Sequence, residues 1–373
     1  MRANPYSWFS FLFGGRVQFP PAFHNGVHDM NEKNIYLDSG YLNFDFIMSL
    51  NYPFTFIIGA RGVGKTYGGL DYIYKNRLKY IHLRRTQVQA DLLSSSAFMP
   101  YKQLCVDNGW NIGVTGVAKN VSGLAEIEND EALKPFGYIC ALSTFSNLRG
   151  FDASDIDVIF YDEFIPETTA KPIKSEYETL LNVYETVNRN RELQGKAPVK
   201  LVCCANSNTI DNPYFIGLGV INKIASMQAK GKMIYTDDSR GLIIINLTKS
   251  PISKLKKDTA LYKLSENTDF GQMALENLYS GTDMSTIQRE RIIEYKPRVT
   301  VGEITIYVHK SKRIYYATTH KSGSPITFTT STDDLERYRN AFKKILVTAY
   351  YEDRFLFEDA VSQVLFKRYT LQK

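Results

Sequence analysis

The sequence contains few cysteines, and none of them has the spacing of a metal-binding or redox motif. The four cysteines are Cys105, Cys140, Cys203 and Cys204. Adjacent cysteines such as the last two seldom form a structural disulfide, and this pair follows an apolar stretch typical of a strand. We therefore expect small core residues of a reduced, intracellular protein rather than a disulfide scaffold.

Long apolar runs are also absent. No stretch approaches the roughly 20 residues that a membrane-spanning helix needs. The apolar patch from Trp8 to Phe13 is too short and too aromatic for a signal peptide. The sequence therefore predicts no membrane partner, while its hydrophobic content of 44% allows a substantial core.

Negative charge is scarce only near the end of the chain. Residues 284–373 contain 16 Lys and Arg against 10 Asp and Glu, a balance of +6 that equals the net charge of the whole protein. A basic terminal region attached to a neutral one favours a polyanion as partner. Ordinary surface charge is the alternative, because an excess of six is modest.

One glycine-rich motif is the most informative feature of the chain. It follows the apolar run 53–58, which reads as a buried parallel strand, and precedes a helical pattern over 67–80. This is the phosphate-loop pattern in its proper context, so it predicts ATP binding by backbone N–H groups. The loop consists of Gly59, Ala60, Arg61, Gly62, Val63, Gly64, Lys65 and Thr66. Lys65 is expected to reach the β- and γ-phosphates, and the Thr66 hydroxyl to bind Mg²⁺.

A second motif lies about 90 residues further on. An apolar strand ends in the adjacent carboxylates Asp162 and Glu163. This is a Walker B arrangement, in which Asp162 holds the Mg²⁺ shell and Glu163 polarises the attacking water. A Glu directly after the Walker B Asp is the pattern of motor-type ATPases, which carry an extra strand between the two motifs. The sequence thus predicts ATP hydrolysis.

Five further positions are candidates for the site. Arg189 ends an amphipathic helix predicted over 175–191, and it either acts on the nucleotide of a neighbouring subunit or complements the helix dipole. Three roles are open for Arg149: a second trans-acting cation, a DNA contact or a solvated loop charge. Asn206, after the next strand, senses the γ-phosphate or forms a turn. Arg84 and Arg85 contact phosphate or the neighbouring subunit, and we leave both options open.

The order of elements predicts a P-loop α/β fold of the ASCE class. Strands alternate with helices over 54–247, which implies a mostly parallel sheet with helices on both faces. From about residue 284 the pattern changes to paired strands over 299–308 and 313–319, followed by helices over 331–351 and 356–369. We expect a tail (1–34), an ATPase domain (35–250), a linker domain (251–283) and an α+β C-terminal domain (284–373).

The sequence resembles the DNA-packaging motor ATPases of small protein-primed tailed phages, the phi-29 type, which are related to large terminases. The resemblance extends from about residue 45 to the end. Beyond the generic Walker motifs, it rests on Leu-Arg-Arg at 83–85, Asn-Arg-Asn-Arg-Glu at 188–192, Asn-Pro-Tyr-Phe at 212–215, Phe-Gly-Gln-Met-Ala-Leu-Glu-Asn at 270–277 and Thr-Asp-Asp-Leu at 332–335.

The resemblance implies a homo-oligomeric ring, usually a pentamer, which docks on a phage portal in the host cytoplasm and drives double-stranded DNA into an empty capsid. In the type system a structural RNA lies between portal and ATPase. The family's trans-acting arginine corresponds to Arg189, and a trans-acting lysine corresponds to Arg149, where the charge is kept but the geometry differs. The C-terminal domain is expected to be nuclease-like and to have lost its catalytic acids.

Two other functions are consistent with the Walker motifs. A large terminase also cuts DNA, and its two-metal nuclease needs several carboxylates, one in the middle of its first strand. The predicted strand over 299–308 offers only Glu303, whereas Asp333, Asp334 and Asp359 lie in predicted helices. A nucleotide-dependent scaffold would not need the general base that Glu163 provides.

Overall fold

The fold is described from a computed structural model of the chain. The structure describes residues 32–148, 153–167, 170–247, 250–265, 268, 284–320 and 323–371. Most of the predicted tail, the candidate Arg149 and the second half of the predicted linker lie outside the described residues. No helix in the described ranges is long and apolar enough to cross a membrane.

Ten strands of the described residues form one large sheet. Its order is β3-β4-β6-β2-β7-β8-β1-β10-β9, with β5 beside β4. The six strands from β6 to β10 in this order are parallel, while β9, β3 and β4 pair in antiparallel fashion at the two edges. The prediction of a mostly parallel sheet is confirmed. The strands are β1 (Phe54–Gly59), β2 (Tyr80–Arg84), β3 (Ile112–Ala118), β4 (Val121–Glu128), β5 (Glu131–Ala132), β6 (Gly137–Ala141), β7 (Val158–Asp162), β8 (Lys200–Ala205), β9 (Ile234–Asp237) and β10 (Leu242–Leu247).

Helices cover the two faces of this sheet. Leu70 and Ile73 of α2 pack on the face that includes Phe160, and Leu180 and Val183 of α5 pack on the opposite face. The central strands are therefore buried on both sides, which explains their continuous apolar sequences. The helices are α1 (Phe44–Ser49), α2 (Lys65–Lys75), α3 (Gln87–Leu93), α4 (Lys102–Asn108), α5 (Glu176–Asn188), α6 (Pro213–Gly217), α7 (Ile221–Lys230), α8 (Pro251–Lys256) and α9 (Ala260–Leu264).

The helix after the glycine-rich loop is displaced from the predicted range 67–80. It begins at Lys65 and ends at Lys75, because Arg77 adopts φ 54° and the chain then enters β2 at Tyr80. The helix that carries Arg189 was predicted over 175–191. It ends at Asn188, and Arg189 is its C-cap with φ 45°. Both helices end where a residue leaves the right-handed helical region.

A second sheet and two helices form the C-terminal part. The sheet order is β14-β11-β12-β13-β15, with antiparallel pairing in the middle and parallel pairing at both edges. Tyr338, Phe342 and Leu346 of α10 pack on this sheet. The elements are β11 (Tyr295–Val301), β12 (Ile304–His309), β13 (Tyr315–Thr318), β14 (Thr327–Phe328), α10 (Thr332–Tyr351), β15 (Phe355–Phe357), α11 (Ala360–Phe366) and a π-helix (Lys367–Leu371).

Two predictions for this part were wrong. The strand predicted over 299–308 is a hairpin, because Gly302 adopts φ +52° and reverses the chain between Val301 and Ile304. The apolar positions shift from Val299 and Val301 to Ile304 and Ile306 across this turn, a change of phase that the prediction of one continuous strand did not take into account. The helix predicted over 356–369 is preceded by β15 and begins only after Asp359, whose side chain caps it.

Polar contacts join the C-terminal part to the large sheet. Asn222 of α7 donates a hydrogen bond to Asp359 at 2.9 Å, and Arg368 forms an ion pair with Asp211 at 2.8 Å. Ala360 of α11 packs in the same core cluster as α7. Because Asp211 lies shortly after β8, the C-terminal part is anchored close to the carboxyl edge of the large sheet.

Candidate functional site

The glycine-rich loop lies between β1 and α2, as its sequence context predicted. Gly62 and Gly64 adopt φ values of +69° and +90°, a conformation that glycine reaches without steric cost. Val63 is completely buried, and its carbonyl accepts a hydrogen bond from the Leu42 N–H at 3.1 Å. Ala60 is also buried, whereas Arg61 is exposed and forms an ion pair with Glu167 at 3.3 Å.

Lys65 is held inside this loop. Its ammonium donates hydrogen bonds to the carbonyls of Gly59 and Ala60, both at 2.8 Å, and to the side-chain oxygen of Asn206 at 3.1 Å. Burial lowers the pKa of Lys65 to about 8. The contact with Asn206 brings the end of β8 to the loop, which is where we expected a side chain that senses the nucleotide.

Thr66 and Asp162 form a pair of oxygen ligands. The Thr66 hydroxyl lies 3.1 Å from each carboxylate oxygen of Asp162. Burial raises the pKa of this carboxyl group, and the neighbouring Arg84 opposes the shift. Hydroxyl and carboxylate oxygens are the donors that Mg²⁺ prefers in proteins, so these residues fit the ion that the motif implies.

Arg84 binds both carboxylates of the Walker B motif. Its guanidinium lies 3.2 Å from Asp162 and also forms an ion pair with Glu163. Glu163 adopts φ 55°, which is uncommon for a residue other than glycine and places its side chain at the end of β7, 54% exposed. The sequence singled out Arg84 but assigned it to phosphate or a neighbour. Its partners within the described residues are the two carboxylates.

Arg85 has a different environment. It forms a buried ion pair with Glu176 at 2.7 Å, and the Tyr214 hydroxyl donates to the same carboxylate at 3.0 Å. Successive residues of a strand point to opposite faces, so Arg85 turns away from the Walker B carboxylates. It joins the end of β2 to the start of α5, which is a structural role that spacing alone did not indicate.

Arg189 lies far from the loop of its own subunit. The end of α5 is tied to residues that precede two strands, since Asn188 accepts from the Val199 N–H at 2.9 Å and Arg191 donates to the Ile156 carbonyl. This is the amino edge of the sheet, whereas Lys65 lies at the carboxyl edge. Arg189 is exposed there, so it is not positioned to reach the nucleotide site of the same chain.

Two adjoining cavities surround the loop. One of about 310 Å³ is lined by Lys65, Thr66, Asp162, Glu163 and Asn206 among others. The second, of about 530 Å³, opens beside it and is lined largely by side chains that the sequence analysis did not single out. These include Leu37, Tyr41, Phe44, Tyr67 and Tyr72, together with the carboxylates Asp45, Asp71 and Asp107.

Both cavities share Gly62, Gly64 and Tyr67 in their walls. A polar compartment next to an aromatic one has the shape and chemistry of a site for a nucleotide, and each volume lies within the usual range of ligand pockets. The aromatic wall comes from the turn and α1 that precede β1, and from α2. Nothing in the local sequence pattern indicates that these two segments face each other.

The chain is similar to known proteins along most of its length. The sequence model of a family described as podovirus DNA encapsidation protein (Gp16) matches residues 37–363. The DNA packaging protein of Bacillus phage phi29 is 25% identical over 331 residues, which cover 86% of this chain and 88% of that protein.

Solved structures have the same fold. A chain of the bacteriophage Phi-29 viral genome packaging motor assembly aligns with a TM-score of 0.60 and 21% identity, covering 88% of this chain and 99% of its own. A chain of the Phi-28 gp11 DNA packaging motor aligns with a TM-score of 0.55 and 19% identity, covering 89% and 98% respectively. These TM-scores establish similarity of fold, and at identities this low they establish the fold alone.

Proposed function

This chain belongs to the podovirus DNA encapsidation protein (Gp16) family, and we propose that it is an ATPase that drives double-stranded DNA into a preformed phage capsid. The observation that carries the proposal is the convergence of four residues at the carboxyl edge of one sheet. Lys65, Thr66, Asp162 and Glu163 line a single cavity, although nearly 100 residues separate the two pairs.

The two cavities suggest how ATP would lie. Its phosphates would accept hydrogen bonds from the loop N–H groups and from Lys65. Its base would enter the aromatic cavity, where Tyr41 and Tyr67 offer ring surfaces and Asp71 offers an acceptor. Tyr41 packs closely on the loop, because a Cβ added at Gly64 would lie 3.3 Å from the Tyr41 ring.

Thr66 and the two Walker B carboxylates would have different roles in the reaction. Thr66 and Asp162 would hold Mg²⁺, which neutralises charge that develops on the phosphates. Glu163 would accept the proton of the attacking water. In this structure Arg84 engages Glu163, so the carboxylate has to leave that ion pair before it reaches the water. The exposed position of Glu163 and its place at a strand end are compatible with such a movement.

The active form would be a homo-oligomeric ring, a pentamer by the resemblance. Arg189 lies at the edge opposite its own nucleotide cavity, which supports action on a neighbouring subunit, with Arg149 as a second trans-acting cation. We further propose that the ring binds DNA and docks transiently on the portal in the host cytoplasm, with a structural RNA as a further partner. The relatives named as packaging proteins support this assignment.

We keep the domain division of the sequence analysis as a proposal. Residues 35–250 would hydrolyse ATP, residues 251–283 would connect, and the basic region 284–373 would be an inactive nuclease-like domain that contacts nucleic acid. The separate hydrophobic core of the C-terminal sheet supports this division.

The test is steady-state ATP hydrolysis with two matched variants. Glu163→Gln should retain ATP binding and lose about 10² or more in kcat, as expected for removal of a general base. Glu131→Gln removes an exposed carboxylate of β5, away from the cavity, and should leave turnover within about twofold. Hydrolysis at the wild-type rate by Glu163→Gln would remove this residue from the mechanism and with it the proposed site.

A further inference from the structure

Lys256, the last residue of α8, reaches the phosphate loop from a distant part of the chain. Its ammonium donates a hydrogen bond to the Arg61 carbonyl at 2.5 Å. A Cβ added at Gly62 would lie only 2.2 Å from this nitrogen. The loop therefore has direct contact with two lysines, Lys65 from its own sequence and Lys256 from almost 200 residues later.

The helix that carries Lys256 is fixed against the nucleotide cavities. Pro251 and Ile252 pack on the turn at Gly40, where an added Cβ would lie 3.0 Å from the Pro251 side chain. That turn leads directly to Tyr41 in the wall of the aromatic cavity. Ile252 and Ser253 are buried. The six residues of α8 thus connect the rim of the aromatic cavity with the phosphate loop.

The charge of Lys256 lacks compensation by a carboxylate within the described residues, where Asp and Glu form no ion pair with it. Burial lowers the pKa of Lys256, and its positive charge contributes to the lowered pKa of Lys65. Two ammonium groups beside one loop repel each other. An anion bound between them would attract both ammonium groups and so offset their mutual repulsion.

Arg61 indicates which part of an anion Lys256 would meet. This residue lines the polar cavity together with Glu163 and Asn206, but it does not line the aromatic cavity. Glu163 must lie near the terminal phosphate to act on the attacking water. The loop position that Lys256 contacts therefore belongs to the wall of the cavity that would hold the terminal phosphate.

We propose that Lys256 is a second phosphate-binding lysine, which acts in cis on the terminal phosphate of ATP and holds α8 against the loop while that phosphate is present. The proposal rests on the proposed ATPase function. An ammonium has three donors, so Lys256 can bind a phosphate oxygen and still keep the Arg61 carbonyl. Loss of the terminal phosphate would remove one contact and loosen α8, which is continuous with the segment that leads to the C-terminal part.

The first experiment measures binding rather than turnover. The full chain is titrated with a fluorescent non-hydrolysable ATP analogue and with fluorescent ADP, both with Mg²⁺. Lys256→Ala should weaken binding of the ATP analogue about tenfold, as for loss of one hydrogen bond to a charged group, and that of ADP less than about threefold. Lys256→Arg, which keeps the charge, should restore most of the affinity for the ATP analogue.

Two controls separate this inference from the proposed function. Lys257→Ala removes a neighbouring charge and should bind both nucleotides like the wild type. Lys65→Ala should lose affinity for both. If Lys65→Ala binds as well as the wild type, the nucleotide site itself is wrong. If Lys65→Ala is impaired while Lys256→Ala is not, only the role of Lys256 is overturned. Equal losses for ATP analogue and ADP would contradict contact with the terminal phosphate.

A second measurement does not depend on the folding of a variant. Hydrogen exchange of the wild-type amides in α8 should be slower with the ATP analogue than with ADP, each at saturating concentration. The same exchange rate in both complexes would show that α8 does not respond to the terminal phosphate, which overturns the proposal.

Discussion

In the large sheet, polar residues from several strands line one cavity at one edge, whereas in the C-terminal sheet the carboxylates Glu303 and Glu358 are bound separately, each by different side chains. Asp162 ends β7, Thr66 and Asn206 follow β1 and β8, and all three line the same cavity. In the C-terminal sheet, Glu303 accepts a hydrogen bond from the Tyr369 hydroxyl, and Glu358 accepts one from Thr318.

Strand direction explains this difference. In a parallel sheet, every strand ends at the same edge, so loops that are distant in sequence come together there. The C-terminal sheet is built around hairpins, whose ends alternate between edges. In its described residues, no group of three or more His, Cys, Asp or Glu side chains could hold a metal ion, and the same is true of the described part of the large sheet. Under the proposed function, the phosphates of a nucleotide would complete the ion site of the large sheet.

The largest expected effect tests whether the chemistry of the large sheet extends across subunits. Arg189→Ala should bind ATP and DNA normally and, in the assembled ring, lose about 10³ in turnover, because a trans-acting arginine stabilises charge in the transition state. Arg189→Ala and Glu163→Gln should each be inactive alone. Mixed rings join an intact arginine to an intact glutamate at some interfaces, so partial hydrolysis should return. Mixed rings without any recovery would indicate that Arg189 acts within its own subunit or only structurally.

The next prediction concerns the basic character of the C-terminal part. Lys310, Lys312 and Arg313 are exposed at the turn between β12 and β13. If they contact DNA phosphates, Lys310→Ala with Lys312→Ala should reduce the slope of log affinity against log salt by about 2, without a change in sequence preference. The exposed Lys230 and Lys232 of the large sheet provide a control pair. A DNA affinity that does not depend on salt would exclude phosphate contacts of this kind.

A smaller effect concerns stability. His82 in β2 is completely buried between aromatic rings, and both ring nitrogens lack a hydrogen-bond partner among the described residues. Burial lowers its pKa to about 3. The unfolded chain therefore takes up a proton near pH 6.5 that the folded protein excludes, so stability is complete above that pH and is lost as pH falls towards 3.

Between pH 7.5 and 5.5 this residue should cost the wild type about 1 kcal/mol of unfolding free energy. His82→Phe should not show this part of the loss. Urea unfolding of both proteins at the two pH values measures this difference in unfolding free energy. Both proteins have the same carboxylates, so the pH dependence that carboxylates cause cancels in the comparison. An identical pH dependence of the two proteins would show that His82 does not titrate in this way.

The smallest expected effect applies the substitution used at Glu163 to the other sheet. Glu303→Gln should leave ATP hydrolysis within about twofold, since its carboxylate lies in a hairpin turn and is bound by Tyr369. Wild-type protein incubated with Mn²⁺ and plasmid should produce no nicks. Nicking that disappears in Glu303→Gln would identify an active nuclease and favour the terminase alternative.

The sequence by itself determined the nucleotide loop, the Walker B carboxylates and the class of the large sheet. These features depend on residues that are adjacent in the chain, such as the glycines around Lys65 or the pair Asp162 and Glu163, because a strand, a tight loop and a helix follow from local patterns. The family also follows from sequence, because its characteristic segments are spread over most of the chain.

Only the tertiary structure decided which side chains meet across the fold. It pairs Arg84 with Glu163, turns Arg85 to the opposite face, and brings Lys256 from α8 onto the phosphate loop. It also breaks the strand predicted around Glu303 at Gly302. Contacts between distant segments leave no periodic signal in the sequence, whereas the turn at Gly302 is marked only by a change of phase in the apolar alternation.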